Sequence, residues 1–258
     1  TSSNKPQKMY GDAPTTIMGR RLIQVQKVLD EVLTWQFAAD SVVSHWLRAH
    51  PELGSRDRSE VAEAVFDVLL HLRKYRQLAE GGVGPASRRL AIQGLANTMG
   101  AARVLEEDTP PQKDWLSRIL MVDADTMSPE VKYSLPDWLY TRLHHLPAFD
   151  ALAQSLNTSA PLDIRVNPMK ADRDAVLADL QKGQAVRNDP TPTPYSPFGI
   201  RLQGRPALHK WHQFEHGLIE VQDEGSQLLA LLVGPKRGEM VIDFCAGAGG
   251  KTLLLGAL

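Results

Sequence analysis

Cysteine is almost missing from this sequence: of 258 residues only Cys245 carries a thiol, so no intramolecular disulfide can form. A chain without disulfides fits a reducing compartment, and the cytoplasm is the expected location. Long apolar runs are missing as well. Nothing approaches the ~20 residues that a membrane helix needs, and the opening TSSNKPQKMYGDAPTT has no apolar core for a signal peptide. No membrane partner is expected. A dominant charge is missing too: 29 lysines and arginines against 30 acids give a formal net charge of −1. No global positive field therefore announces nucleic acid, although a local cationic groove would still hold a phosphate backbone. The histidines show no metal spacing, and one cysteine with the pair His144-His145 builds no tetrahedral site, so no metal is expected.

What is present is an ordinary globular balance, 43% hydrophobic and 23% charged, in a chain long enough for two domains and part of a third. Residues 1–16 are polar, include Pro6 and Pro14, and are expected to lack fixed structure. From Ile17 the pattern turns helical. Leu22, Val25, Val28, Leu29, Val32 and Leu33 recur at three- and four-residue steps, and a second helix after Ser41 turns Val42, Val43, Trp46 and Leu47 inward. The stretch GSRDRSEVAEAVFDVLLHLRKYRQLAEGG predicts one long helix with the stripe Val61, Val65, Val68, Leu69, Leu72, ended by Gly81-Gly82. Further helices are expected at about 87–99, 112–121, 136–145 and 148–156, with Pro136 and Pro147 where a first turn tolerates them.

The periodicity switches at LDIRVNPMK (Leu162–Lys170), where Leu162, Ile164 and Val166 alternate with polar partners as in a half-buried strand. A short helix follows, with Asp172 as cap and Val176, Leu177 and Leu180 inside. Then come the turn-rich NDPTPTPYSPFG, a strand GIRL, a helix near 206–213 and a strand LIEV. Strand–helix–strand–strand–helix–strand predicts a small α+β sandwich of ferredoxin or RRM type. After Asp223 the helix SQLLALLVG leads to a strand, MVIDFC, which runs into a glycine-rich loop.

That loop, DFCAGAGGKT (Asp243–Thr252), admits three nucleotide-handling readings. A phosphate-binding G-x-x-x-x-G-K-[ST] loop is half satisfied by Gly250, Lys251 and Thr252, but its first glycine falls on Cys245. A dinucleotide G-x-G-x-x-G begins with Gly247 and Gly249 and fails at Thr252. The third is the S-adenosylmethionine loop of doubly wound methyltransferases, framed by Asp243, Cys245, Gly247 and Gly249. Small residues there let the backbone approach the ligand, and a helix N-terminus attracts the methionine carboxylate. A plain strand–turn–helix with glycines for tight packing remains the alternative.

The neighbours narrow the choice. DFCAGAGGKT resembles the D-x-C-A-A-P-G-G-K-T segment of the RsmB/Sun family of RNA 5-methylcytosine methyltransferases, in which cysteine takes the first glycine position. IRVNPMK (164–170) resembles that family's R-x-N-x-x-K segment and VQDEGSQLLA (221–230) its Q-D-x-x-S-Q helix. RDRSEVAEAVFDVLLH (56–71) resembles the third-helix region of the NusB-like domain carried by bacterial members. The departure is Gly247-Ala248 in place of the family's Ala-Pro, which loosens the loop while still permitting close approach.

The resemblance implies residues 17–150 as an all-α NusB-like bundle and 151–222 as a small α+β RNA-binding-type domain. Residues 223–258 are then the start of a Rossmann-like methyltransferase domain. It implies S-adenosylmethionine at Cys245, Ala246, Gly247, Ala248, Gly249, Gly250 and Lys251, and ribosomal RNA, of the 16S type, as partner of a monomer. The family adds a cysteine thiolate to carbon 6 of cytosine so that carbon 5 can accept the methyl group. That nucleophile and a second cysteine are expected beyond residue 258. Cys245, at the end of the cofactor strand, is expected to be buried and not catalytic, so these 258 residues alone are expected to be inert. Arg165, Arg201, Arg205 and Lys210 are candidate RNA contacts, with ion pairing as the alternative for Arg165 and a core position as the alternative for Trp211 in the same cluster. The second function class is a NusB-like RNA- or protein-binding module with no enzymology, for which the glycine loop would have no use.

Overall fold

The computed structural model describes residues 16–107, 110–183 and 185–258. The chain divides into two compact units between Thr158 and Ser159. The expectation for residues 1–16 falls outside the described residues except for Thr16, whose hydroxyl accepts the Gly19 N–H at 3.1 Å and caps the first helix.

The described residues of the first unit form helices joined by turns and loops, with no strand among them. Its longer helices are α1 (Ile17–Val32), α2 (Ala39–Ala49), α3 (Ser55–Leu70), α4 (Leu72–Leu78) and α5 (Ala86–Leu95), followed by a π-helical turn at Ala96–Gly100. After them come α6 (Ala101–Glu107), α7 (Pro110–Leu120), α8 (Pro129–Lys132), α9 (Asp137–Leu143) and α10 (Phe149–Leu156). The apolar stripes meet in one core: Val25, Val28 and Leu29 of α1, Val61, Val65 and Val68 of α3, and Ile92 and Leu95 of α5 are all fully buried. Gly94 lets α5 lie against α3, since a Cβ there would come within 2.6 Å of Val68 Cγ2 and 2.8 Å of the Ala64 carbonyl oxygen. The single long helix expected over 55–80 is two helices broken at His71 (φ −107°, ψ 21°). Its ring Nδ1 lies 3.1 Å from the Asp67 carbonyl oxygen and 3.2 Å from the Asp67 carboxylate.

The second unit begins with β1 (Leu162–Val166), α11 (Arg173–Lys182), β2 (Thr191–Pro192) and β3 (Gly199–Leu202). A 3-10 turn (Leu208–Lys210), α12 (His212–Glu215) and β4 (Ile219–Val221) complete the expected strand–helix alternation. The four strands form an antiparallel sheet in the order β2-β3-β1-β4, with Ile164 opposite Ile200 on one side and Val221 on the other. This is the ferredoxin-like order. Asp172 caps α11 by accepting the Ala175 N–H at 3.0 Å, and Val176 and Leu180 bury against Ile164, Val166, Ile200, Leu202 and Trp211.

Alternation along β1 sends Asp163 and Arg165 to the opposite face. There α13 (Glu224–Val233) covers them, and a polar layer replaces an apolar one. Asp163 takes a two-pronged bond from Arg201 at 2.8 and 2.9 Å. The Glu224 carboxylate accepts the N–H groups of Tyr195 at 2.7 Å and Ser196 at 2.9 Å. Burial raises the Glu224 pKa, but those donors, with the Thr193 hydroxyl and the Arg201 charge, outweigh it and hold the group below its ordinary value.

The expected strand MVIDFC is not formed. Met240–Cys245 has no ladder partner among the described residues, and Met240, Ile242 and Phe244 are 91%, 80% and 95% exposed. A strand exists only where a neighbour takes up its N–H and C=O groups, and none of the four described strands pairs with this segment. The helix that follows, α14 (Gly250–Ala257), does form, anchored by the fully buried Leu254.

Candidate cofactor site

The sequence places a turn between an extended segment and α14, and the backbone shows why glycine is needed there. Gly247 (φ 57°) and Gly249 (φ 82°) both sit in the left-handed region, where a side chain would be strained. The turn closes through the Gly249 N–H to the Ala246 carbonyl at 2.9 Å, and α14 starts with the Leu253 N–H on the Gly249 carbonyl at 2.9 Å. Across the turn the Thr252 hydroxyl donates to the Asp243 carboxylate at 2.7 Å, tying the entry of the loop to the first turn of the helix.

The outer side of the turn is open. A Cβ on Gly247 or Gly249 would meet nothing within 4 Å. No side chain caps α14 at Gly249, so its first-turn N–H groups are available to an anion. Lys251, exposed on that first turn, adds a cation. Small residues, a bare helix N-terminus and a lysine fit the charged methionine end of S-adenosylmethionine. Cys245–Gly249 make the turn, and Gly250 and Lys251 open α14 directly after it.

Cys245 differs from expectation. It is exposed, because the segment it ends has no sheet around it to bury it. A cavity of about 630 Å3 lies beside the loop, lined by Asp243, Thr252, Lys236, Arg237, Glu239 and Met169 among others. None of Cys245–Lys251 lines it, so it flanks the turn without containing it.

The four RNA candidates separate. Arg165 is 1% exposed, its guanidinium donating to the Glu220 carboxylate at 2.6 Å, and it presents no surface to RNA. Alternation with buried neighbours does turn Arg165 away from the apolar core, but the face it turns to is covered. Arg201, half-buried, is engaged by Asp163. Arg205 and Lys210 are exposed, while Trp211 of the same cluster is in the core.

Sequence reasoning noted the VQDEGSQLLA segment but assigned no role to Gln222 or Glu224. Both are 7% exposed, and Gln222 abuts Gly250. The available signal was the Q-D-x-x-S-Q pattern of that segment, which puts Gln222 and Glu224 at the junction of β4 and α13. Among the described residues no group of three or more His, Cys, Asp or Glu side chains is placed to hold a metal ion, and no helix is long and apolar enough to cross a membrane.

Known proteins similar to this chain agree with one another. A family model described as "Methyltr_RsmF/B-like, ferredoxin-like domain" matches residues 135–209. The chain is 31% identical over 192 residues to ribosomal RNA small subunit methyltransferase B of Citrobacter koseri, a match covering 72% of this chain and 41% of that protein. The protein of the same name from Proteus mirabilis is 32% identical over 124 residues, covering 47% of this chain and 28% of the relative. That from Escherichia coli O6:K15:H31 is 29% identical over 178 residues, covering 68% and 38%. The matches thus span about two fifths or less of these relatives' length. The fold resembles the crystal structure of PH0851, with a TM-score of 0.59 at 19% identity over 92% of this chain and 60% of that one. The ferredoxin-like sheet, the motif order and these relatives lead to one conclusion: the chain belongs to the RsmB/Sun family.

Proposed function

We propose that this chain is the RNA-handling and cofactor-entry portion of an S-adenosylmethionine-dependent RNA methyltransferase acting on carbon 5 of a cytosine in 16S ribosomal RNA. The observation that carries the reading is the turn Asp243–Thr252, with Gly247 and Gly249 at positive φ and a helix N-terminus left without a side-chain cap. In this reading the bound cofactor supplies an electrophilic methyl group. The chain's own residues orient it: the first-turn N–H groups of α14 and Lys251 hold the carboxylate, and the Thr252–Asp243 bond keeps the turn rigid.

The exposed Met240, Ile242 and Phe244 support a further step. An apolar extended segment leading into a nucleotide loop has the character of a central strand in a parallel sheet, and we assign it that place in the methyltransferase domain. Residues 17–150 are then the NusB-like domain and 151–222 the α+β domain that meets RNA, with Arg205 and Lys210 as phosphate contacts. Cys245 serves as a small residue of the cofactor turn, and the thiolate that attacks cytosine is a different cysteine. A module that only binds RNA or protein has no use for the turn, and that reading is set aside.

The test is transfer of a labelled methyl group from S-adenosylmethionine to unmodified 16S ribosomal RNA by the full-length protein, with the product nucleoside identified by mass spectrometry. The expected product is 5-methylcytidine, formed equally well by C245A. Label on another base or on the ribose would refute the cytosine assignment, and no transfer to any RNA would refute the enzyme.

A further inference from the structure

Gln222 lies between β4 and α13 with its backbone fixed at both groups. Its N–H donates to the Asp163 carbonyl at 3.2 Å, and its carbonyl accepts from Gln227 Nε2 at 2.8 Å. Asp223, next in the chain, caps α13 by accepting the Ser226 N–H at 3.0 Å. The Gln222 side chain runs to the start of α14: a Cβ on Gly250 would stand 3.5 Å from Gln222 Nε2. Although Gln222 is 7% exposed, neither its Nε2 nor its Oε1 has a hydrogen-bond partner. Buried amides are almost always paired. The adjacent helix N-terminus does not satisfy this one, although the α14 first turn has donors and no side-chain cap.

We propose that Gln222 recognises the α-amino-acid end of the cofactor, its amide N–H sharing the carboxylate with the α14 N-terminus and its amide oxygen taking the ammonium group. The proposal rests on the S-adenosylmethionine reading of the loop and adds to it a side chain that reads the ligand's charge pattern. The chemistry selects a zwitterion over a phosphate. A phosphate offers only acceptors and would leave Oε1 facing a like partial charge, whereas an amino-acid end brings one acceptor and one donor. Whichever way the amide turns, it presents one of each.

The test compares S-adenosylhomocysteine with 5′-methylthioadenosine, which shares the nucleoside and thioether but lacks the amino-acid end. Affinities are measured by isothermal titration for the full-length wild type, Q222L and Q222E. Wild type should favour S-adenosylhomocysteine strongly. Q222L should shrink that preference by about 10- to 100-fold, the range for hydrogen bonds to charged groups, while binding 5′-methylthioadenosine as wild type does. Q222E, which keeps an acceptor for the ammonium but loses the donor to the carboxylate, should shrink it as well. An unchanged preference in Q222L, or an equal loss for both ligands, would overturn the role given to Gln222 and leave the cofactor reading standing. Wild type that binds neither ligand would overturn both.

Discussion

Arg165 offers the sharpest test of how the second unit is held together, because its two ends are unequally buried. The guanidinium is 1% exposed and its partner Glu220 is 28% exposed, at 2.6 Å. Burial pushes the Arg165 pKa down, and the Glu220 charge opposes this without restoring it. Its Nε has no partner. Removing Glu220 strands a buried cation, which costs about 3–5 kcal/mol in a dry site. The partial exposure of this pair admits some water, so about 2–3 kcal/mol is expected for E220A. R165M removes the charge together with the unpartnered Nε and leaves Glu220 able to reach solvent. Its net effect should stay within about 1 kcal/mol of wild type, since the lost ion pair and the relieved desolvation nearly cancel. The readout is amide hydrogen exchange over β1, whose Val166 N–H is held by the Phe198 carbonyl at 2.8 Å. E220A should lose about 30-fold more protection than R165M, the equivalent of about 2 kcal/mol. Equal losses in the two variants, or a larger loss in R165M, would refute the reasoning.

Four further outcomes follow from the same geometry. G94A should lower stability by about 1–3 kcal/mol in urea denaturation, because its methyl would meet the Ala64 backbone oxygen, which cannot step aside. Glu224 is held below its ordinary value of 4.5 by the Tyr195 and Ser196 N–H groups against the opposing effect of burial. Wild type should therefore be more stable than E224Q above pH 4.5, and the gap should close as pH falls through the depressed pKa; a gap that widens in acid would contradict this. G249V should weaken S-adenosylmethionine binding at least tenfold, about 1.4 kcal/mol, because the φ of 82° suits no β-branched residue. RNA binding should fall steeply with added salt, and the R205A/K210A double variant should lessen that slope in filter-binding titrations; a slope equal to wild type would remove these two residues from the interface.

Much of this was legible in the sequence, for reasons that can be named. The stripes Val25–Leu29 and Val61–Val68 repeat at the helical period and bury as that period requires. The alternation of Ile164 with Asp163 and Arg165 marked β1 and its two unlike faces. What was not legible has no local marker or depends on partners distant in sequence. The break at His71 carries no glycine or proline to mark it, and it shows only in the His71 backbone angles. Arg21 is buried on α1 because Asp57, Glu60 and Gln24 surround its guanidinium, a pairing that no single-helix pattern reveals. MVIDFC reads as a strand by composition, but a strand is a property of two segments, and none of the described strands pairs with it. The glycine turn was legible because its requirement is local: Gly247 and Gly249 occupy backbone angles that other residues avoid.

The central claim, that Asp243–Thr252 is an S-adenosylmethionine turn, is tested most directly by calorimetric titration of the full-length protein. One titration uses S-adenosylmethionine and a parallel one uses ATP with magnesium, the ligand that the half-matched Gly250-Lys251-Thr252 would favour as a phosphate loop. The account expects saturable micromolar binding of S-adenosylmethionine, weakened in G249V, and no heat from ATP. Binding of ATP with none of S-adenosylmethionine would contradict it.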